Sequence, residues 1–123
     1  TFFEKENKEI YKKLEKIASK SDPCPGGLIF LPYLIGERTP IWNPNSRGVF
    51  FGLHRSHSKS ELIRSVFEGL AYSTKHIIDI FKEKKIKIDK LIVSGGLSQI
   101  DLINQIKADV LSMKVVSNIT NSP

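Results

Sequence analysis

A long amphipathic segment between residues 59 and 82 limits the folds open to this chain more than any other feature. Residues suited to one buried face recur there at spacings of three and four, which is the period of an α-helix. Ser58 and Glu61 form a capping box at its start. A helix of this length, about 36 Å, needs partners along much of one face. The face consists of Leu62, Ile63, Val66, Phe67, Leu70, Thr74, Ile77, Ile78 and Phe81.

The part of the chain before this helix divides into a helix, a turn and two short strands joined by a loop. Residues 3–19 predict a helix with one apolar stripe, and residues 21–27 break it with two prolines and two glycines. Residues 28–31 form a short apolar run that predicts a buried strand. Residues 32–47 predict a long loop, and residues 48–53, with glycines near both ends, predict a second strand.

The part after the long helix repeats the alternation of strand and helix. Residues 90–93 predict a strand. Ser98 begins a second helix that runs to about Leu111, with Asp101 completing another capping pattern. Residues 114–116 predict a final strand. The order β–α–β–α–β predicts an α/β fold with a parallel sheet and right-handed crossovers.

Composition excludes several classes of protein. A chain of 123 residues suits one domain, and an apolar fraction of 40% argues against general disorder. No uncharged apolar run approaches the ~20 residues of a membrane span, so we expect no membrane partner. A single cysteine, Cys24, excludes an internal disulfide framework and a cysteine-based zinc site. The low cysteine content fits a reducing compartment, and we expect a cytoplasmic location.

The net charge of +6 comes largely from two lysine-rich stretches, one in the first twenty residues and one across residues 82–90. Glutamates interleave with the first stretch at helical spacing, which indicates a solvated helix face. The second stretch lacks interleaved aromatic residues and any nucleic-acid motif, so we interpret it as a solubilising linker. A basic nucleic-acid-binding domain remains an alternative. His54 and His57 lack further ligands at metal spacing, and we expect no metal site.

The loop of residues 32–47 is a candidate for function because long loops inside compact domains are uncommon. Ile41 and Trp42 are too apolar to be left in water, so we expect the loop to be ordered. Glu37 and Arg38 lie within it and allow two interpretations. They form either a buried structural ion pair or a contact with a substrate or hinge.

Two positions in the long helix predict specific packing. Gly69 costs about 1 kcal/mol relative to alanine in a helix, so we expect a neighbouring backbone to pack closely against it. Glu68 lies four residues after Arg64, and the two side chains are expected to pair.

The junction between the strand at residues 90–93 and the following helix is the best candidate for a binding site. Ser94, Gly95 and Gly96 lie there, and glycines allow a ligand to reach the backbone. The N–H groups at the start of the helix would suit a phosphate or nucleotide. Neither a Walker loop nor a G-x-G-x-x-G fingerprint is present. A plain tight turn is the alternative.

Three segments taken together resemble the FGGY carbohydrate kinases. Residues 27–53, GLIFLPYLIGERTPIWNPNSRGVFFGL, look like the central stretch of that family. Residues 61–69, with Glu-Leu, then Ser-Val-Phe-Glu-Gly, are similar in spacing to its second signature. Residues 94–111, from Ser-Gly-Gly to Ala-Asp-Val-Leu, resemble its adenosine motif. The resemblance covers residues 28–116.

The resemblance implies an actin-like ATPase fold built from two RNase H-like domains, with ATP in the cleft between them. Gly95 and Gly96 would make backbone contacts near the adenosine and the α-phosphate. Leu97, Ser98 and Ile100 complete the nucleotide-binding stretch. Many members carry a third glycine where Leu97 stands and a polar residue where Ile100 stands, so this chain departs from the motif at both positions.

The same resemblance implies an ATP-dependent kinase that phosphorylates a hydroxyl of a sugar or sugar acid. Residues 1–123 would be a partial C-terminal domain, incomplete at both ends. The family's N-terminal domain carries the phosphate-binding glycines and most of the sugar pocket. The catalytic Asp and the Mg²⁺ ligands also lie outside these residues. We therefore expect no catalytic residue here and no activity of the chain alone.

Three further expectations follow from the resemblance. The bulky Leu97 favours a gluconate kinase, with a xylulose kinase next. An incomplete RNase H-like half should keep an exposed sheet edge and apolar face, so we expect self-association. A nucleotide-binding, actin-like interaction module without kinase activity is the alternative, although the loop GERTPIWNPNSRGVFFG belongs to the sugar kinases and not to those relatives.

Overall fold

The regular structure of this chain consists of three helices and four strands within residues 2–118, which are the residues that the computed structural model describes. Two short 3-10 turns, Pro25–Gly27 and Gly96–Gln99, connect some of them. The helices are α1 (Phe2–Ala18), α2 (Lys59–Glu83) and α3 (Asp101–Leu111), and the strands are β1 (Ile29–Leu31), β2 (Val49–Phe51), β3 (Lys90–Val93) and β4 (Lys114–Ser117).

The four strands pair as two separate sheets. β1 runs antiparallel to β2, with Phe30 opposite Phe50 and their ring centres 4.7 Å apart. β3 runs parallel to β4, with Leu91 opposite Val115, because α3 carries the chain back to the same end of the sheet. Mixed α/β structure is therefore present as predicted. The single parallel sheet expected from the order of elements is not formed by the described residues, since β1 and β2 pair antiparallel with each other.

The hydrophobic core lies where α2 meets α1, α3 and β1. The helical period of α2 places its apolar face against these three elements at once. The central residues of the core are fully or nearly fully buried: Ala18, Phe67, Ala71, Ile100, Ile103 and Ile106.

Gly69 is the point at which β1 crosses α2. A β-carbon at Gly69 would fall on the carbonyl oxygen of Phe30, and the carbonyl carbon of Phe30 would be only 3.2 Å away. The close approach of a neighbouring backbone, expected from the helical glycine, is confirmed. The β1–β2 hairpin reaches the core because this position carries no side chain.

The capping box at the start of α2 forms as predicted. The backbone N–H of Ser58 donates to the Glu61 carboxylate at 2.7 Å. Hydrogen bonds from the Ser58 side chain and backbone lower the pKa of Glu61. The N-terminus of α2 is therefore satisfied by its own local sequence.

The start of α3 differs from the prediction. The interpretation that Ser98 begins this helix and forms a cap with Asp101 is wrong, because Ser98 lies in the preceding 3-10 turn and α3 begins at Asp101. The backbone N–H of Leu102 donates instead to the Glu15 carboxylate of α1, at 3.2 Å. A side chain 87 positions away thus caps α3.

The hairpin and its loop are more exposed than expected. Leu28 is buried, but Ile29 and Leu31 of β1 are exposed within the described residues, so the prediction of a buried strand is wrong. Ile41 is 68% exposed and Trp42 is 70% exposed, contrary to the expectation that they would be kept from water. No helix of residues 2–118 is long and apolar enough to cross a membrane.

Candidate functional site

Gly95 occupies an open position at the carboxyl end of β3. Its φ of 93° and ψ of −178° fall in a region of conformation that is essentially restricted to glycine. Apart from its own atoms and those of its two chain neighbours, no heavy atom lies within 4 Å of the place where its β-carbon would stand. The backbone is therefore approachable there from solvent, as a ligand contact requires.

Gly96 lies against α1. A β-carbon at Gly96 would be 2.7 Å from the Tyr11 hydroxyl and 3.4 Å from the nearest ring carbons. A glycine at this position lets the phenol ring rest directly on the turn. The two neighbouring glycines thus serve different purposes, since one is open to solvent and the other permits helix packing.

Partly buried hydrogen bonds hold the glycine turn in place. The Ser98 hydroxyl donates to the Gly95 carbonyl oxygen at 2.6 Å. Two side chains converge on the Ser98 carbonyl oxygen: the Asn104 amide donates at 2.8 Å and the Ser117 hydroxyl at 3.2 Å. The turn is fixed to α3 and β4 before any ligand arrives.

The five residues that the sequence predicts to bind a nucleotide divide by exposure. Gly95, Gly96 and Leu97 lie at the surface, and Leu97 is 45% exposed. Ser98 is buried, and its hydroxyl is committed to the turn itself. Ile100 is only 2% exposed and belongs to the hydrophobic core.

A pocket of about 220 Å³ adjoins this turn on the side of α1. Its polar lining carries two lysines and two carboxylates, so the formal charges cancel. One face of α1 forms half of the lining, because residues three and four apart lie on the same side of a helix. The lining residues are Lys8, Tyr11, Lys12, Glu15, Gln99, Ile100 and Asp101.

The sequence interpretation did not include the part that α1 contributes to this pocket. Its lysines match the pattern of a solvated helix face, and Tyr11 matches the apolar stripe. No local signal marks them, because the turn that they face lies more than 80 residues away in the sequence. A glutamate of α1 also occupies a backbone donor at the start of α3. Glu15 already accepts the Leu102 N–H, so this one donor at the helix start is not available to a phosphate.

The loop between β1 and β2 is organised by Glu37. This side chain is 4% exposed, and its Oε2 accepts hydrogen bonds from the backbone N–H groups of Ile41 (2.8 Å) and Trp42 (3.1 Å). The backbone of Glu37 also pairs with Asn43 in both directions. Arg38 is exposed, so the interpretation as a buried ion pair of Glu37 with Arg38 is wrong. Within the described residues, Oε1 of Glu37 is buried and accepts no hydrogen bond.

Glu68 joins α2 to the turn that precedes β1. Its Oε2 accepts from the Arg64 side chain at 3.2 Å, which confirms the predicted pair, and from the backbone N–H of Cys24 at 2.9 Å. The Cys24 thiol lies 3.7 Å from the Tyr72 hydroxyl. Partial burial, and to a smaller extent the hydrogen bond with Cys24, raises the pKa of Tyr72 to about 12. This cluster ties the backbone of the turn to α2.

The histidines before α2 bond to their own loop. The backbone N–H of His54 donates to Nδ1 of His57 at 2.9 Å, and Nδ1 of His54 contacts the Ser56 hydroxyl. Across residues 2–118, no group of three or more His, Cys, Asp or Glu side chains could hold a metal ion. The glycine turn and the adjoining pocket are therefore the strongest candidate site in the described part of the chain.

Comparison with known proteins points to one family. Residues 2–122 match the model of the FGGY family of carbohydrate kinases, C-terminal domain. The chain is 38% identical over 109 residues to glycerol kinase 2 of Sulfolobus acidocaldarius, covering 88% of this chain and 22% of that protein. It is 37% identical over 107 residues to the gluconokinase of Bacillus subtilis, covering 86% of this chain and 21% of that protein.

A solved structure gives the same result for the fold. Xylulose kinase from Rhodospirillum rubrum superposes with a TM-score of 0.76 at 26% identity, over 88% of this chain and 22% of that one. The chain thus spans about a fifth of the length of each of these proteins. The resemblance inferred from sequence and the α/β, actin-like ATPase fold class are confirmed.

Proposed function

Given that this chain belongs to the FGGY family of carbohydrate kinases, matching its C-terminal domain, we propose that it forms the adenosine-side wall of the ATP cleft of a sugar kinase. One observation carries the proposal. Gly95 is open to solvent and conformationally fixed at the position of the family's adenosine motif, and the turn that follows it leads to Gln99, which lines a pocket. A site of this kind can bind a nucleotide through backbone groups without rearranging.

Phosphoryl transfer depends on holding a metal nucleotide and an acceptor hydroxyl in line. In the proposed enzyme, ATP supplies the γ-phosphoryl group. The residues of this chain bind and orient its nucleoside end. Gly95, Gly96 and Leu97 present their surface to the nucleotide, and Ser98 and Ile100 support the turn from beneath. Mg²⁺ would neutralise charge on the ATP phosphates, and none of the described residues is assigned to hold it or to act as the catalytic base.

The acceptor in this proposal is a sugar or sugar acid, with gluconate first and xylulose next. Leu97, the bulky residue after the glycine pair, favours gluconate, and the Bacillus subtilis relative is named a gluconokinase. Xylulose follows because the Rhodospirillum rubrum neighbour is a xylulose kinase. Glycerol joins these candidates because the Sulfolobus acidocaldarius relative is a glycerol kinase. A cytoplasmic location is part of the proposal, since the reaction consumes ATP.

Family membership favours this function over the two alternatives from sequence, an actin-like interaction module and a basic nucleic-acid-binding domain. A binding measurement with duplex DNA distinguishes the kinase proposal from the nucleic-acid-binding alternative. Binding to the phosphate backbone would weaken steeply as salt increases. We expect the chain to bind MgATP and to show no such salt-dependent affinity for duplex DNA.

Self-association remains a prediction, and it rests on exposed apolar side chains of the β1–β2 hairpin. Surfaces of this kind favour association between copies. Sedimentation at increasing concentration should show a rising average mass, and a monomer at every concentration would contradict the prediction. The exposed side chains are Ile29, Leu31, Val49, Phe50 and Phe51.

A matched pair of glycine variants tests the nucleotide site. Gly95 and Gly27 both have positive φ, 93° and 79°, and both have open space where a β-carbon would stand. Alanine should therefore be strained at both positions, although neither has a neighbouring atom in the way. Calorimetric titration should show about tenfold weaker MgATP binding for Gly95→Ala and unchanged binding for Gly27→Ala. Equal binding by both variants, or none by the unmodified chain, would overturn the proposed function.

A further inference from the structure

We infer that the base of the bound nucleotide enters the pocket between α1 and the glycine turn, where Tyr11 is its principal contact and a specificity-determining residue. The phosphates extend away from this pocket along the open side of Gly95. This inference rests on the proposed function, and it adds α1 to the elements that select the nucleotide.

The size of the pocket suits a base and not a whole nucleotide. Its volume of about 220 Å³ is below the roughly 300 Å³ at which pockets for drug-sized ligands begin. A planar heterocycle can enter it, but a complete nucleoside triphosphate cannot. The remainder of the ligand has to leave through the open side.

The chemistry of the lining also suits a base. Tyr11 contributes an aromatic ring, and bases stack well on aromatic side chains. Ile100 borders the pocket with its side chain buried in the core, so this part of the wall is rigid. Gln99 is exposed and carries both a donor and an acceptor, which a base edge can use.

The charges decide which end of the nucleotide enters. Lys8 and Lys12 are balanced by Glu15 and Asp101, so the pocket offers no net attraction to a phosphate chain. Glu15 already accepts the N–H of Leu102, and its carboxylate would repel a phosphate placed at the start of α3. A neutral base fits this environment, and the phosphates are left to the side of Gly95, where no atom lies within 4 Å of the would-be β-carbon.

The position of Tyr11 is set by the glycine turn. Its hydroxyl would be 2.7 Å from a β-carbon at Gly96, so the ring rests on the backbone that the proposal assigns to the nucleotide. One side of the phenol therefore contacts the turn and another lines the pocket. A ligand held by the turn is placed beside the ring, and the ring limits how far its base can enter.

Affinities for adenosine and for MgATP test the base end and the phosphate end of the site separately. Removal of a stacked aromatic ring weakens base binding by about 5- to 150-fold. We expect Tyr11→Ala to weaken adenosine and MgATP by the same factor within this range and Tyr11→Phe to retain most of the affinity. Gly95→Ala should weaken MgATP more than adenosine. The control is Tyr72→Ala, because Tyr72 lies on α2, contacts Cys24 and does not line the pocket. This variant should leave both affinities unchanged.

The outcomes distinguish this inference from the proposed function. If the unmodified chain binds neither ligand, the proposed function fails. If it binds MgATP with the expected sensitivity to Gly95→Ala, but Tyr11→Ala binds adenosine equally well, the inference alone is overturned. Tyr11 packs against the core, so Tyr11→Ala requires a folding check by circular dichroism. Nuclear Overhauser contacts between the base protons of ATP and the Tyr11 ring in the unmodified chain provide a second measurement, and their absence with ATP bound would also overturn the inference.

Discussion

Tyr11 and Gly96 are coupled directly, because the phenol hydroxyl lies where a β-carbon at Gly96 would need space. We expect Gly96→Ala to destabilise the chain by about 1 kcal/mol as Tyr11 shifts away. The same substitution in a Tyr11→Phe background should cost much less, since the nearest ring carbons would be 3.4 Å from the new methyl group. Urea unfolding of the unmodified chain, the two single variants and the double variant measures the coupling, and strictly additive costs would contradict this contact.

Glu61 makes the stability of α2 depend on pH in the acid range. Hydrogen bonds from Ser58 lower its pKa from the ordinary value of 4.5. Its contribution is therefore fully present above that ordinary value and is lost as the pH falls through the lowered folded value. We expect Glu61→Gln to have a lower urea midpoint than the unmodified chain at neutral pH. The two midpoints should converge below the folded pKa, and a constant difference across this range would contradict the assignment.

Residue contacts could be predicted from sequence only where they are local. Arg64 and Glu68 lie one turn apart on a single helix, so their spacing alone indicates the pair. The cap that Glu15 provides to Leu102 depends on how α1 and α3 pack, and no local pattern encodes that. Glu37 is an exception, because its partners are backbone N–H groups only four and five residues away in its own loop, and not the neighbouring Arg38.

At the scale of elements, the contact between α2 and β1 depends on Gly69. Alanine there would gain about 1 kcal/mol in helix propensity but would place a methyl group on the backbone of Phe30. Overpacking of this kind costs about 1–3 kcal/mol, and backbone cannot move aside as a flexible side chain can. We expect Gly69→Ala to lower stability overall, measured by thermal unfolding. His76→Ala, an exposed change on the same helix, is the control, and equal stability of the two variants would refute the contact.

The positions of the elements could be predicted well, but their pairing could not. The helical period locates α1 and α2 to within one or two residues, because each buries one continuous stripe. Strand pairing is decided by distant contacts, and β1 and β2 join as an antiparallel hairpin across a 17-residue loop instead of entering one parallel sheet. Exposure of the hairpin escaped prediction for a related reason, since apolar composition predicts burial without identifying what covers the surface.

At the scale of the whole molecule, the proposal divides the kinase reaction between this chain and other parts of a larger enzyme. The chain spans about a fifth of the length of its relatives. Among the described residues, the glycine turn contains no side chain that we assign as a catalytic base. We therefore expect no ADP above background when the purified chain is mixed with MgATP and either gluconate or xylulose. A coupled assay measures this directly, and robust turnover that increases with chain concentration would contradict the division.

The candidate site could be predicted only in part, because only part of it is continuous in sequence. The glycine pair is continuous in sequence, so Gly95 and Gly96 can be identified from a motif. The pocket beside them is assembled from α1 and the turn before α3, and its shape exists only in the folded chain. Motif comparison thus locates the backbone half of the site, and only the structure reveals the side chains that complete it.

The most direct test of the central claim, that the glycine turn binds a nucleotide, is a titration of the isotopically labelled chain with MgATP followed by amide chemical shifts. The largest changes should occur at Gly95, Gly96 and Leu97, with smaller ones at Tyr11. The basic segment of residues 82–90 should change little. Saturating MgATP that leaves the turn unchanged, or that shifts only the basic segment, would contradict the claim.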